Sequence, residues 1–283
     1  MNSSKVWYVT GASQGFGLSL VKKLLSAGYR VAATTRNEEA LKRAVGLADA
    51  DKFLPLVVDL GNTDAIRHSV EETTARFGTI DVLVNNAGYG MAGTLEETTE
   101  QEIRKIFDVN VLALLNVTKA VLPIMRQQRS GYIINMGSVA GFVGAPGWSI
   151  YSATKAAVAG FSEVLALDVK EFGIKVTVVE PSNFRTSFLA GNSLVFTDVK
   201  IDGYQVVKDT QKRYMAGNGR QPGDPDKAAE IFIQLAESND PPVHLLLGVD
   251  AYNRATRKVA GLQDEMTHWQ GITESADFPP TGL

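Results

Sequence analysis

Hydrophobic and polar positions fall along the chain in blocks of two kinds. Short, almost wholly apolar runs at Val6–Val9, Tyr29–Thr34, Phe53–Val58, Val82–Val84, Tyr132–Met136, Ile174–Val179 and Val243–Leu247 predict strands. Several are apolar at every position rather than at alternate ones, which is the mark of parallel strands covered on both faces. Between them, apolar residues recur at helical spacing. The first such segment puts Leu20, Val21, Leu24 and Leu25 on one face and stops at Gly28, a helix-terminating residue. Two longer helices are predicted, Thr99 to Gln127 and Trp148 to Phe172. From Arg185 to Pro222 the periodicity fails and the chain reads as irregular. Asp224-Pro225 then offers an N-cap and a first-turn proline. The polar, proline-containing stretch Thr273–Leu283 is expected to be a flexible tail. Strand–helix alternation predicts an α/β protein: one domain over residues 1–283, with a doubly wound parallel sheet of about seven strands, helices on both faces and right-handed crossovers.

Composition narrows the partners. The 283 residues are 45% hydrophobic and 21% charged, with a net charge of -3 and no cysteine. Disulfides, thiolate metal sites and cysteine nucleophiles are therefore out. Lys and Arg are not clustered, so neither nucleic acid nor an anionic membrane is expected as a partner. No segment reads as the ~20 apolar residues of a membrane helix. Met1 leads through serines into a strand without a signal-peptide pattern, so a cytoplasmic protein is expected. His68, His244 and His268 show no ligand spacing, and no metal site is expected.

The candidate chemistry begins at the turn after the first strand, Thr10-Gly11-Ala12-Ser13-Gln14-Gly15-Phe16-Gly17. Glycines there let the backbone turn tightly and approach a pyrophosphate, and the following helix N-terminus offers free N–H groups to it. A plain strand-to-helix turn also uses glycine, so the motif needs company. The second strand ends Thr34-Thr35-Arg36, with no acid where NAD enzymes hold the ribose 2′-hydroxyl. Arg36 suits a 2′-phosphate, which makes NADP(H) the expected cofactor over NAD(H); the alternative is a solvated loop arginine.

Tyr151 and Lys155 stand four apart near the start of a helix, on one face. An ammonium beside a phenol favours phenolate and lowers its pKa by roughly 1–3 units, giving a proton-transfer device. Ser138 follows a strand at its carboxyl end, where a hydroxyl could bond a substrate oxygen. Asn85-Asn86-Ala87-Gly88 ends the fourth strand in the same crevice, and Asp59-Leu60 ends the third, where a carboxylate could accept from an adenine amino group. Asn110 lies inside a predicted helix, where its plain role is solvent-facing or bonded one turn back.

Taken together, Thr-Gly-x-x-x-Gly-x-Gly, Asn-Asn-Ala-Gly, the lone Asn, the Ser and Tyr-x-x-x-Lys resemble the short-chain dehydrogenase/reductase family over nearly the whole chain. The resemblance implies a Rossmann-type fold and a tetrad of Asn110, Ser138, Tyr151 and Lys155. In it Tyr151 would move the proton and Ser138 would orient the carbonyl. Lys155 would hold the nicotinamide ribose and depress the tyrosine pKa, and Asn110 would support a water leading to solvent. It also implies cofactor contacts from Gly11, Ser13, Gln14, Gly15, Phe16, Gly17, Arg36, Asp59, Leu60, Asn86, Ala87, Gly88, Tyr151, Lys155, Pro181 and Thr186. One departure stands out: Ser182 replaces the glycine that usually follows the proline. Many relatives associate through their two long helices, which implies a homodimer or homotetramer.

Tyr89 and Met91, the segment Phe142 to Trp148, and residues 186–222 are expected to line an apolar substrate cavity, with 186–222 acting as a substrate-binding loop. The later segments Gly223 to Ala229 and His244 to Gly248 loosely resemble the hydroxysteroid-dehydrogenase-like branch. The expected activity is hydride transfer between NADP(H) and an apolar ketone or secondary alcohol. A non-catalytic dinucleotide sensor on the same fold is the alternative, although a sensor has no need of the four tetrad residues. A nicotinamide-using isomerase or dehydratase is a third reading, disfavoured by the short stretch beyond Gly223.

Overall fold

The structure is a computed structural model that describes residues 5–189, 193–199 and 201–278. Its main sheet is built from β1 (Val6–Val9), β2 (Arg30–Thr35), β3 (Phe53–Val57), β4 (Val82–Asn85), β6 (Gly131–Met136), β7 (Ile174–Pro181) and β9 (His244–Leu247). The strand order is β3-β2-β1-β4-β6-β7-β9, and every pairing is parallel. All seven predicted strands are present, with ends shifted by at most two residues. Pro55 lacks an N–H to give a ladder and sits in β3, the edge strand.

Alternation along fully buried strands divides the core between two faces. Trp7 and Val9 of β1 pack with Leu20, Val21 and Leu24 of α1 (Gly15–Ser26) and with Ala228, Ala229 and Phe232 of α9 (Pro225–Glu237). Val6 and Tyr8 point the other way. They join residues of α3 (Thr63–Phe77), α5 (Ala113–Gln128) and α7 (Ser149–Asp168), among them Ile66, Val117 and Leu165. A short α2 (Glu38–Val45) links β2 to β3. Asp224 caps α9 with Pro225 in its first turn, as its sequence predicts.

Three parts of the chain depart from the sequence reading. The first long helix is interrupted: α4 (Glu100–Phe107) and α5 are joined by a π turn over Asp108–Leu112. The continuous helical run Glu100–Gln128 is also long and apolar enough, by length and composition alone, to cross a membrane, contrary to the expectation that no segment is. Its Val117, Val121 and Met125 are buried under the sheet, so that apolarity belongs to a core helix. Second, residues 185–222 are not irregular throughout. They contain β8 (Leu194–Phe196), paired in parallel with β5 (Gly90–Ala92), and α8 (Gln205–Ala216). Third, β9 leads into a 26-residue helix, α10 (Val249–Glu274). The expected tail therefore begins inside that helix, and 279–283 lie outside the described residues.

Candidate active site

The carboxyl ends of β1, β2, β4, β6 and β7 open into one cavity of about 940 Å³. The turn between β1 and α1 forms one wall. Gly11 has φ +64, and a Cβ there would lie 2.8 Å from Ala87 Cα; one on Gly17 would lie 2.5 Å from the Gly11 carbonyl oxygen. These positions need glycine because backbone passes where a side chain would stand. Asn86 pins the turn: its Nδ2 donates to the carbonyls of Thr10 and Gly11, both at 2.9 Å. Thr10 Oγ1 accepts from the Asn86 and Ala87 N–H groups at 2.9 and 3.1 Å. Asn85 points away from the cavity and donates to Thr118 Oγ1 and Asn135 Oδ1, each at 2.9 Å, within a buried polar chain.

Of the sequence-predicted residues, sixteen line this cavity: Gly11, Ser13, Gln14, Gly15, Phe16, Arg36, Asp59, Leu60, Asn86, Ala87, Gly88, Ser138, Tyr151, Lys155, Pro181 and Thr186. Gly17 and Asn110 lie behind its wall. Arg36 is exposed at the end of β2 and makes no hydrogen bond or ion pair with any described residue. Thr35 Oγ1 accepts from Asn37 N–H at 3.0 Å, which ties the start of α2 to the strand end. Phe16 packs edge-on against Phe184 at 5.1 Å, so its ring serves the wall as much as the cavity. Ser182 is accommodated by a second glycine. Its N–H donates to Leu247 O at 3.2 Å, and a Cβ on Gly248 would come 3.3 Å from its Oγ.

The tetrad residues are close together but differently engaged. Tyr151 and Lys155 are both buried on α7. Ser138 caps a short helix, α6 (Val139–Phe142), accepting from Ala140 N–H at 3.1 Å, and hydrogen-bonds the Tyr151 phenol. Lys155 Nζ donates to Met136 O at 2.7 Å and stands 5.8 Å from the Tyr151 ring centroid. Burial pushes the Tyr151 phenol up to about 12, opposed by the Ser138 hydrogen bond and reinforced by Tyr214. Burial also brings the Lys155 ammonium down to about 8. The sequence expectation that Lys155 depresses the phenol is thus corrected for the protein alone. Desolvation outweighs an ammonium that is directed at a backbone carbonyl rather than at the hydroxyl.

Asn110 sits in the π turn and is buried, not solvent-facing. Its Oδ1 accepts from Tyr89 N–H at 3.0 Å, while Nδ2 donates to Tyr89 O at 2.9 Å and Thr154 Oγ1 at 3.1 Å. Both amide donors are spent on the protein, leaving one lone pair of Oδ1 for any other partner. The extra residue of a π turn is what rotates this side chain off the helix surface.

Beside Tyr151 the cavity has an apolar wall, while Lys105, Asn183, Ser193 and Asp198 add polar groups elsewhere in its lining. Met91, Trp148, Leu189 and Leu194 pack with Tyr89, Phe188 and Tyr214 around Tyr151. Trp148 touches both Tyr151 and Tyr214 edge-on, at 5.6 and 5.3 Å. The three segments expected to line the cavity all contribute, although Phe142 does not line it. Gln221, from the expected 186–222 region, lines it too, and Arg254 lines it without having been anticipated because α10 was not foreseen. His244 bridges two carboxylates, with Glu180 at 3.0 Å and Glu163 at 2.9 Å, a pairing its sequence spacing does not reveal. Among the described residues no group of three or more His, Asp or Glu could hold a metal ion.

A glycine turn, a strand-end serine and a buried Tyr–Lys pair on one cavity now stand where the sequence motifs predict them. The family model for short chain dehydrogenases matches residues 5–193. The chain belongs to the short-chain dehydrogenase/reductase family. It is 34% identical to the oxidoreductase BOA17 of Botryotinia fuckeliana, covering 95% of this chain and 98% of that one. It is 35% identical to a 3-ketodihydrosphingosine reductase of Bacteroides thetaiotaomicron, covering 85% and 86%. The crystal structure of a short-chain dehydrogenase from Streptomyces avermitilis superposes with a TM-score of 0.89 at 38% identity, over 97% of this chain and 100% of that one. The closed form of a serine dehydrogenase complexed with NADP+ superposes at 0.70 with 28% identity, over 85% and 93%. This short-chain dehydrogenase/reductase is accordingly an oxidoreductase of a family that uses a nicotinamide dinucleotide.

Proposed function

We propose that this short-chain dehydrogenase/reductase transfers hydride between NADP(H) and an apolar ketone or secondary alcohol, and that it works as a carbonyl reductase. The observation that carries the proposal is the neutral, buried Tyr151 phenol, hydrogen-bonded to Ser138 inside an apolar cavity. A phenol held up to about 12 is protonated at neutral pH, which is the state a carbonyl oxygen needs to receive a proton. The 3-ketodihydrosphingosine reductase among the relatives supports a ketone with a long apolar part.

The residues present fit the dinucleotide. Gly17 lets the start of α1 pack against the Gly11 carbonyl, where a Cβ would not fit, leaving N–H groups for a pyrophosphate. Arg36, without a partner among the described residues, is available to a 2′-phosphate, and no acid competes at Thr35. The neighbour complexed with NADP+ agrees with this choice. Asp59 and Lys155 line the same cavity, where Asp59 would accept from the adenine amino group and Lys155 would hold the ribose hydroxyls.

When bound, the nicotinamide supplies or accepts the hydride. Tyr151 Oη gives its proton to the substrate oxygen, and Ser138 Oγ donates a hydrogen bond to the same oxygen, stabilising the developing alkoxide. In the oxidative direction Tyr151 acts as its phenolate, the form left after the reductive step, and Oη takes the alcohol proton. Asn110 is a positioning residue: by fixing Tyr89 and Thr154 it sets the wall on which Tyr151 and Lys155 stand.

The test is NADPH consumption over a panel of ketones, aldehydes and quinones, with NADH in parallel, using wild type and Tyr151→Phe. General acid catalysis contributes about 10²–10⁴-fold, so kcat should fall by that order while the NADPH Kd stays put. Turnover by the phenylalanine variant close to that of wild type would sink the assignment.

A further inference from the structure

A second cavity, of about 470 Å³, adjoins the first. Ala145, Asn183, Leu189, Tyr214, Gln221 and Arg254 line both. The shared wall stands close to the reacting groups. Trp148 touches the Tyr151 ring at 5.6 Å, and Tyr214 touches Trp148 in turn at 5.3 Å. Ala145, Pro146, Leu189 and Pro222 give the second cavity apolar sides that continue the apolar wall beside Tyr151.

Its charges are uneven. Arg213 of α8, Arg220 just beyond that helix and Arg254 of α10 line it, and Asp250 is the one carboxylate among the described residues of the lining. Arg213 donates to Thr210 Oγ1 at 3.1 Å, and neither Arg213 nor Arg220 has an ion pair with a described residue. Arg254 is placed more deeply, its side chain only 17% exposed. It donates to Val143 O at 2.9 Å and stands 3.7 Å from Asp250 Oδ2. That carboxylate oxygen also accepts from Asn183 Nδ2 at 3.4 Å, so it is shared. A guanidinium carries more N–H donors than these contacts use, and a charge taken out of water is costly while they go unmet.

Gln221 shows the same shortfall beside it. The residue is buried, its Oε1 has no partner among the described residues, and Nε2 reaches Asn218 Oδ1 only at 3.5 Å. A half-turn of this weakly held amide puts two N–H donors where Oε1 now lies.

We propose that this end of the site binds a carboxylate at the remote end of the substrate, which, on the reductase reading above, makes the substrate an oxo acid. The carbonyl lies at Tyr151, an apolar chain passes Trp148 and Tyr214, and the acid group meets Arg254 and Gln221, with Arg213 and Arg220 adding positive charge. A carboxylate matches the planar fork of a guanidinium. Its single charge also suits apolar sides better than a phosphate dianion, which loses more on leaving water.

Calorimetric titration with decanoate and with decanol, in the presence and absence of NADPH, reads the acid site without any turnover. Decanoate should bind at least about tenfold more tightly than decanol. Arg254→Met should raise the decanoate Kd roughly 10- to 100-fold, and Arg254→Lys, which keeps the charge without the fork, should fall between. Arg213→Ala/Arg220→Ala leaves the Val143 contact intact and should raise it roughly three- to tenfold. Initial rates with methyl ketones bearing an ω-carboxylate, and with the methyl esters of the same acids, give the second readout. Wild type should favour acid over ester by about tenfold or more in kcat/KM, chiefly through KM, and Arg254→Met should cut that preference to about threefold or less. Decanoate binding that Arg254→Met and the double alanine variant both leave unchanged overturns the proposal, as does decanol bound as tightly as decanoate. Decyl phosphate bound more tightly than decanoate overturns the choice of a carboxylate. Arginine-dependent decanoate binding by a protein that reduces none of the ketones upholds the acid site and sinks the reductase reading instead.

Discussion

Replacing Lys155 with Met tests the electrostatics of the site without relying on any substrate. The ammonium is buried, and its pKa is lowered from the ordinary 10.5 to about 8 by desolvation. The folded protein therefore binds the Lys155 proton less tightly than the unfolded chain does. Between about pH 8 and 10.5 the unfolded state holds more protons, so stability rises with pH across that window. Below it, the cost of keeping the buried cation is fully present, about 3 kcal/mol at pH 7. By pH 9.5 roughly half of that cost has gone, since much of the folded population already carries a neutral amine.

Methionine fills similar space without a charge, and removes the cost at every pH. It also removes the hydrogen bond to Met136 O, which is worth about 1.5–3 kcal/mol for a charged donor. At pH 7 the two terms leave Lys155→Met equal to wild type or more stable by up to about 2 kcal/mol, with turnover lost. At pH 9.5 the advantage should shrink by about 2 kcal/mol and can change sign. Urea unfolding of both proteins at pH 7.0, 8.5 and 9.5, in the absence of nucleotide, measures the difference. Taking the difference cancels the buried tyrosines Tyr8, Tyr132 and Tyr151, whose raised pKa values favour unfolding above about pH 10 in both proteins. A difference that stays flat over this range would falsify the claim that burial governs Lys155.

Other consequences are as direct. Arg36→Ala should raise the NADPH KM roughly 10- to 100-fold and leave NADH nearly unchanged, since a charge-assisted bond contributes about 1.5–3 kcal/mol; equal losses for both cofactors would remove Arg36 from the 2′-phosphate. Thr35→Asp keeps an acceptor for the Asn37 N–H and should move the ratio of kcat/KM toward NADH, which initial rates with the two cofactors decide. Asn110→Ala strands the Tyr89 N–H and C=O and should cost about 2–4 kcal/mol in urea unfolding, with kcat falling more than the NADPH affinity. An effect under about 0.5 kcal/mol would contradict a buried positioning role.

What could be read from the sequence was whatever this chain buries within itself. The strands of the sheet are apolar on both faces because helices cover both, and their residues declare it without any third dimension. The glycine turn, Ser138 and the Tyr151–Lys155 pair were legible because each chemistry restricts residue type and spacing together. Helix α8 was not, because Val206 and Val207 are adjacent and the rest of Gln205–Ala216 is largely polar, so only Val207 and Thr210 are buried. Helix α10 hid for a related reason. It meets the body through Ala251, Arg254, Ala255 and Lys258, and its large apolar residues are exposed among the described residues. The π turn left only an asparagine in a helical stretch as its trace, a signal that a solvent-facing residue gives equally well.

The Tyr151–Lys155 pair shows what spacing leaves out. Four residues apart on a helix, an ammonium and a phenol suggest attraction and a more acidic tyrosine. Burial acts on both groups at once and in opposite senses, because each loses more by being charged out of water than it gains from the other. In solution the two hold protons about equally tightly. Here the phenol stands at about 12 and the ammonium at about 8, so the order is reversed. Once Tyr151 has given its proton to an alkoxide, Lys155 is the stronger acid, and returning a proton to the phenolate is favourable. Nζ stands 5.8 Å from the Tyr151 ring centroid. The burial that raises the Tyr151 phenol thus keeps that acid loaded and sets a reserve proton beside it.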